Sequence, residues 1–445
     1  MVHKHGLTWV VVFGVIVLMF LQLPPMAAKQ DSVVHTYSSL VEVDALAKQR
    51  FVDPIEDDRL VDGAIRGMMF QLDPYSGYIA PDELAAFERR SRGDFIGVGI
   101  ELGMQGGQLT VIAPVEGSPA AQAGVLAGDT FLSVDGQKLE GRSVFDVEEM
   151  LVGPPGTRVH IEVRHHGERD ARRLSLVRGP VHLKTVRGFR RDPSGGWDYM
   201  IDRRERIGYI RVNNFRDNTM RDFDAALRDL LDDAASTLIM DLRFNPGGLM
   251  QQAVAMVDRF VDSGLILSTV TRRRAVDEYV AVREGTIDNL KLVVLINGNS
   301  ASAAEIVAGS LQARGRAVVV GERSFGKGSV QHLIYLTGHK AAVKLTVAYY
   351  RLPDGRIIHR TDKNVHTDLW GVTPDVEVAM GEEEVQAIQE SRRRLDASFP
   401  DSTTTAPQEG NGTMTAVPEL VRDRQLQEAL SVARGANFLK NKGTQ

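Results

Sequence analysis

The 445-residue chain has no cysteine. That absence excludes a thiol nucleophile, disulfide bridges, thiolate metal sites and a lipidated N-terminal cysteine. Its eleven histidines form no H-E-x-x-H pair, and His165-His166 reads as a turn before Gly167, so neither a metal nor any other cofactor is expected. A basic field is missing as well. The formal net charge is −5 and the pI is near 6.2, which argues against nucleic acid as a partner. The triplets Arg272-Arg273-Arg274 and Arg392-Arg393-Arg394 read as solvated faces.

What remains is an ordinary globular composition, 43% hydrophobic and 25% charged. At about 150 residues per domain, this length predicts two or three domains. Residues 1–28 read as a signal peptide or membrane anchor. His3, Lys4 and His5 precede an apolar run from Leu7 to Leu23, and Pro24-Pro25-Met26-Ala27-Ala28 follows. As a helix that run spans about 26 Å, slightly less than a ~30 Å hydrocarbon core. The expected location is therefore periplasmic, with residues 7–23 as an inner-membrane anchor if they are retained.

Residues 32–92 read as a helical segment, with apolar stripes through Val33, Tyr37, Leu40, Val41 and Leu46 and then Leu60, Ala64, Ile65 and Met68. From 94 to 178 short β-type runs alternate with Gly-rich turns around one helix capped by Ser143. Here Gly117 to Gly136, GSPAAQAGVLAGDTFLSVDG, resembles a PDZ domain, and FIGVGI resembles that domain's carboxylate-binding loop. Gly97 and Gly99 would let backbone N–H groups converge on a terminal carboxylate, and the strand from Ile100 would take the peptide as an added strand. The expected peptide-binding residues are Phe95, Gly97, Val98, Gly99 and Ile100, with an apolar last residue in the bound tail.

Residues 181–400 alternate strand and helix patterns. A buried strand ending at Asp241 delivers DLRFNPGG, whose Pro-Gly-Gly turn offers free N–H groups. A second strand, Lys291 to Ile296, delivers NGNSASAAEI, with Ser302 at a helix start where free N–H groups favour negative charge. Ser302 with Glu305 is equally an S-x-x-E capping box, so the position alone does not make a nucleophile. A third motif, VVGERSFGKGSVQ, carries Lys327.

These three motifs, in this order after the PDZ-like block, resemble the carboxyl-terminal processing (tail-specific) serine proteases over about residues 35 to 380. The resemblance implies a ClpP/crotonase-like α/β core and a serine–lysine dyad. Its nucleophile falls on Ser302, its general base on Lys327 and its lysine-orienting glutamine on Gln331. Its oxyanion hole falls on the N–H groups of Gly248 and Ala303. Some members carry an acid in an LQD triplet; this chain has Leu311-Gln312-Ala313.

The residues can be weighed apart from the resemblance. A lysine works as a base at neutral pH only if its pKa falls by about three units, which costs the charged form about 4 kcal/mol. That requires burial with no carboxylate nearby. Phe325, Gly326, Gly328, Ser329 and Val330 flank Lys327, and the nearest acid in sequence is Glu322. An extended segment would turn Lys327, Ser329 and Gln331 to one face and His332 to the other. Gly321 to Lys327 has the glycine spacing of a phosphate-binding loop, but Gly328 stands where a hydroxyl must hold Mg²⁺, so that reading is rejected.

Residues 401–416 read as a linker and 417–440 as an amphipathic helix through Leu420, Val421, Leu426, Leu430 and Ala433, with Gly435 as an early stop. A helix beyond a linker needs a surface to cover, so together with the helical N-terminal segment it leads us to expect a homodimer or larger homo-oligomer. Expected partners are otherwise protein or peptide tails with apolar C-termini and an adaptor or activator protein. Three readings stay open: an exported serine endopeptidase acting on cell-envelope proteins, alone or with an adaptor; a catalytically silent PDZ scaffold; and a crotonase-like acyl-CoA enzyme. Export and the PDZ block argue against the last.

Overall fold

The computed structural model describes residues 26–92, 94–165, 168–273, 276–338, 340–397 and 423–442. Most of the expected signal or anchor, the expected linker and Leu420 and Val421 lie outside the described residues. No helix among those described is long and apolar enough to cross a membrane.

The chain divides into two compact units at Tyr78. The first contains helices Met26–Arg50 and Asp57–Phe70. Lys48 ties them by pairing with Asp44 one turn back (2.8 Å) and with Asp57 at the next helix start (2.9 Å). Their apolar residues stay exposed, including Val41, Val43, Phe51, Val61 and Phe70.

The second unit begins with a β-rich module. Strands Ile100–Gln105, Gln108–Pro114, Thr130–Val134, Arg158–Arg164 and Arg172–Val177 form an antiparallel sheet in that order. Alternation sets Val111, Phe131, Val159, Ile161 and Val163 inside. Helix Val144–Leu151 closes that core through Val147 and Leu151. Its start is a complete capping box, with Ser143 and Asp146 each accepting the other's backbone N–H at 3.1 Å. Ile100–Gln105 is the edge strand of this sheet.

The larger module is built on parallel strands in the order Ile207–Val212, Thr237–Asp241, Lys291–Ile296, Ala317–Gly321 and Val376–Glu377. The first two strands are buried at every position, as expected for a parallel sheet covered on both faces. Helices Thr219–Asp232, Met250–Asp258 and Ala303–Ala313 pack on one face. The other face is covered by helix Arg424–Lys442, whose Leu426, Ala429, Leu430 and Ala433 meet Ile207, Tyr209, Ile239, Val293, Leu295 and Val320. This corrects two expectations. The C-terminal helix finds its surface within its own chain, and it runs through Gly435, because the sheet contact outweighs a glycine cost of about 1 kcal/mol. A second, antiparallel sheet joins Ser329–Tyr335, Ala342–Arg351, Gly264–Thr271 and Val276–Ala281.

Candidate active site

Two parallel strands deliver the two loops that meet at Ser302. After Asp241 the chain turns through Leu242 to Gly248; after Ile296 it turns through Asn297 to Ala301. Two short side chains and one main-chain carbonyl stitch the turns together. Asn297 Oδ1 accepts from the Phe244 N–H (3.0 Å). The Ser300 hydroxyl donates to the Leu242 carbonyl (2.8 Å). Asn245 takes the Ala301 N–H on its carbonyl (2.9 Å) and the Gly247 N–H on its side chain (2.8 Å).

The glycines are required by contact as well as by dihedral angle. Gly247 and Gly248 have φ of +99° and +140°. A Cβ on Gly247 would lie 2.7 Å from Ser302 Cβ and 2.9 Å from the Ala303 nitrogen, and one on Gly248 would lie 2.0 Å from the Phe215 carbonyl oxygen. The Pro-Gly-Gly turn therefore abuts the serine. Neither the Gly248 N–H nor the Ala303 N–H has an acceptor among the described residues.

Ser302 itself has φ +54° and ψ −114° at the N-cap of helix Ala303–Ala313. A non-glycine residue held there stores on the order of 1–3 kcal/mol of strain, kept only where the surroundings over-determine it. Glu305 supplies part of that determination. It is fully buried, and its two oxygens accept four hydrogen bonds: from the Ser324 hydroxyl (2.5 Å) and the N–H groups of Gly326 (2.7 Å), Ser302 (2.8 Å) and Lys327 (2.8 Å). One oxygen takes both the Ser302 and the Lys327 N–H, so these nitrogens lie within about 5.6 Å of each other. Burial raises the carboxyl's pKa and the four donors oppose it.

The structure thus brings Ser302, Lys327, Gly248 and Ala303 into one neighbourhood. Gln331, in strand Ser329–Tyr335, donates its amide to the hydroxyls of Ser329 (2.9 Å) and Thr346 (3.1 Å). His332 is exposed. A register shift between Val330 and Gln331 interrupts the strict alternation expected of this segment. One expectation fails outright. The surroundings of Lys327 do contain a carboxylate, Glu305, placed against its main chain from 22 residues upstream. Local sequence could not show it, because a helix carries it there.

Beside the Pro-Gly-Gly turn lies a buried ion network. Arg243 is held between Asp241 (2.6 Å) and Asp423 (2.7 Å), and Arg392 also reaches Asp241. Burial alone would raise the Asp241 pKa, but Arg243 and Arg392 outweigh it and hold it well below the usual carboxylate range. Arg392 is therefore no solvated residue, whereas Arg393 and Arg394 pair with Glu390 at the surface.

In the β-rich module the five expected peptide-binding residues run into the edge strand. Strand Asp94–Gly97 pairs with Gly179–His182, which occupies Phe95 and Gly97. Val98 and Ile100 are buried. The Gly99 carbonyl accepts from the Val115 N–H (2.9 Å) and the Ser118 hydroxyl (3.1 Å).

Comparison with known proteins agrees with this layout. Residues 206–378 match peptidase family S41, residues 110–165 a PDZ domain and residues 22–83 the activating protease CtpB N-terminal domain. The carboxy-terminal-processing protease of Bartonella bacilliformis is 33% identical over 417 residues, covering 90% of this chain and 89% of that protein. The carboxy-terminal processing protease CtpA of Bacillus subtilis is 32% identical over 330 residues, covering 74% and 67%. A photosystem II D1 C-terminal processing protease structure aligns at 30% identity with a TM-score of 0.44, covering 78% of this chain and 89% of that one. The chain belongs to the carboxy-terminal-processing proteases, serine-type peptidases of family S41 with a PDZ domain.

Proposed function

We propose that this peptidase is exported to the periplasm, captures apolar protein C-termini on its PDZ edge strand and hydrolyses envelope proteins with a Ser302–Lys327 dyad. Lys327 takes the proton of the Ser302 hydroxyl as the oxygen attacks the scissile carbonyl. The oxyanion is received by the N–H groups of Gly248 and Ala303, a donor pair of a kind worth about 10²–10³ in rate per member. The protonated lysine then delivers its proton to the leaving amine, and water clears the acyl-enzyme by the reverse steps. Gln331 orients the lysine.

The observation that carries this reading is the abutment of the Pro-Gly-Gly turn on Ser302, with two acceptor-free N–H groups flanking the serine. The exposed apolar residues of the first unit favour a homo-oligomer assembled through them. Ser302→Ala and Lys327→Ala should each abolish cleavage of an unstructured substrate with an apolar carboxyl terminus while the circular dichroism spectrum is unchanged. Cleavage retained in either folded variant would rule out the dyad. A parent that cuts only after periplasmic extract is added would establish the adaptor-dependent form of the same reading.

A further inference from the structure

The main chains of Ser302 and Lys327 are joined twice, by groups of opposite polarity. The Glu305 carboxylate collects their N–H groups. On the other side the hydroxyl of Tyr350, a residue in strand Ala342–Arg351 that is only 1% exposed, lies 2.6 Å from the Lys327 carbonyl and 3.2 Å from the Ser302 carbonyl. We infer that Tyr350 is a positioning residue for proteolysis, its hydroxyl setting the separation of the nucleophile-bearing and base-bearing main chains. This rests on the Ser302–Lys327 reading above.

The two carbonyls do not depend on the hydroxyl equally. The Ser302 carbonyl also accepts the N–H groups of Glu305 (2.9 Å) and Ile306 (3.0 Å) at the start of its helix. A tyrosine has one proton to give, and the shorter contact directs it to Lys327. The Tyr350 N–H adds a bond to the next carbonyl, Gly328, at 3.0 Å. The base-bearing loop is thus tied to strand Ala342–Arg351 at two consecutive carbonyls, and loss of the hydroxyl removes the bond on the lysine's own carbonyl. Displacements of about 1 Å between reacting groups cost on the order of 100-fold in rate. Tyr350 meets the peptide backbone of the two residues whose separation governs the proposed proton transfer, so its loss should fall on kcat.

Tyr350→Phe keeps the ring and removes only the hydroxyl. Its steady-state kinetics on the apolar-tailed substrate are to be compared with the parent and Lys327→Ala, together with thermal unfolding and the rate at which a fluorophosphonate labels Ser302. The expected result is a kcat 10- to 100-fold lower, slower labelling to match, KM within twofold and an unfolding midpoint close to the parent's. Parental kcat and labelling in Tyr350→Phe, with Lys327→Ala inactive, would overturn the inference and leave the dyad standing. Activity in Lys327→Ala, or a parent that neither cleaves nor labels, would remove the dyad and the inference with it. A Tyr350→Phe chain that does not fold, or in which KM rises as kcat falls, would assign the hydroxyl to stability and overturn positioning.

Discussion

Two carboxylates in the larger module are buried to the same extent and held by opposite means. Asp241 and Glu305 are both 0% exposed. Asp241, at the strand end before the Pro-Gly-Gly turn, faces two guanidinium groups and the Tyr209 hydroxyl, and its pKa is driven down. Glu305, at the junction of the Ser302 and Lys327 main chains, is held by four donors that carry no formal charge, and burial raises its pKa. The contrast suits the proposed reading. Lys327 must be neutral to act as a base, a negative charge on Glu305 would favour the charged lysine, and burial, which raises the Glu305 pKa, opposes that charge. Beside the Pro-Gly-Gly turn the Arg243 charge is met by Asp241 and Asp423.

The sharpest way to break the contrast is to strip Asp241 of its main counter-ion. Arg243→Met leaves Asp241 with Arg392 as its counter-ion and leaves the buried Asp423, still accepting the Leu426 N–H, without the cation it faces. Removing one member of a buried ion pair costs about 3–5 kcal/mol, so the urea midpoint should fall steeply and the C-terminal helix should become protease-sensitive. A loss below about 1 kcal/mol would mean that the network contributes little to the fold. Glu305→Gln is the smaller change. It keeps shape but turns an amide NH₂ toward groups that are already donors, and unpaired buried donors cost about 1–3 kcal/mol. Because these donors include the N–H groups of Ser302 and Lys327, the proposed dyad, peptidase activity should drop further than stability, by at least 100-fold. Near-parental turnover would show that the junction holds without its carboxylate.

The same contrast explains which parts of the molecule could be read in advance. Ser302, the Pro-Gly-Gly turn and the strands that deliver them are written in contiguous residues: apolar runs, breakers and a cap at fixed offsets. The S-x-x-E spacing also pointed to Glu305, but only as a partner for the helix start. Its hold on Lys327 depends on a loop returning 22 residues later, and Tyr350 arrives from a strand later still. Arg392 looked solvated and the C-terminal helix looked unpartnered because their partners, Asp241 and the far face of the sheet, are distant in sequence. Arg243 and Asp423 are separated by 180 positions. Local periodicity carries no trace of a pairing at that range.

The mildest test leaves the chain unmutated and varies pH, since the two carboxyls contribute to stability with opposite sign. Asp241 has a folded pKa below its unfolded value, so its contribution is complete above about pH 4 and is lost as pH falls through the folded value. Glu305 has a folded pKa above its unfolded value. Its contribution is complete below about pH 4 and is lost as pH rises through the folded value. Between about pH 4 and neutrality only Glu305 changes state of the two, so the parent's unfolding free energy relative to Glu305→Gln should decline across that window. Below about pH 4 the Asp241 contribution falls away in both chains alike. A parent-minus-variant difference that stays flat from pH 4 to 7 would mean that Glu305 ionises in the folded protein as readily as in water, and that its four donors fully offset burial.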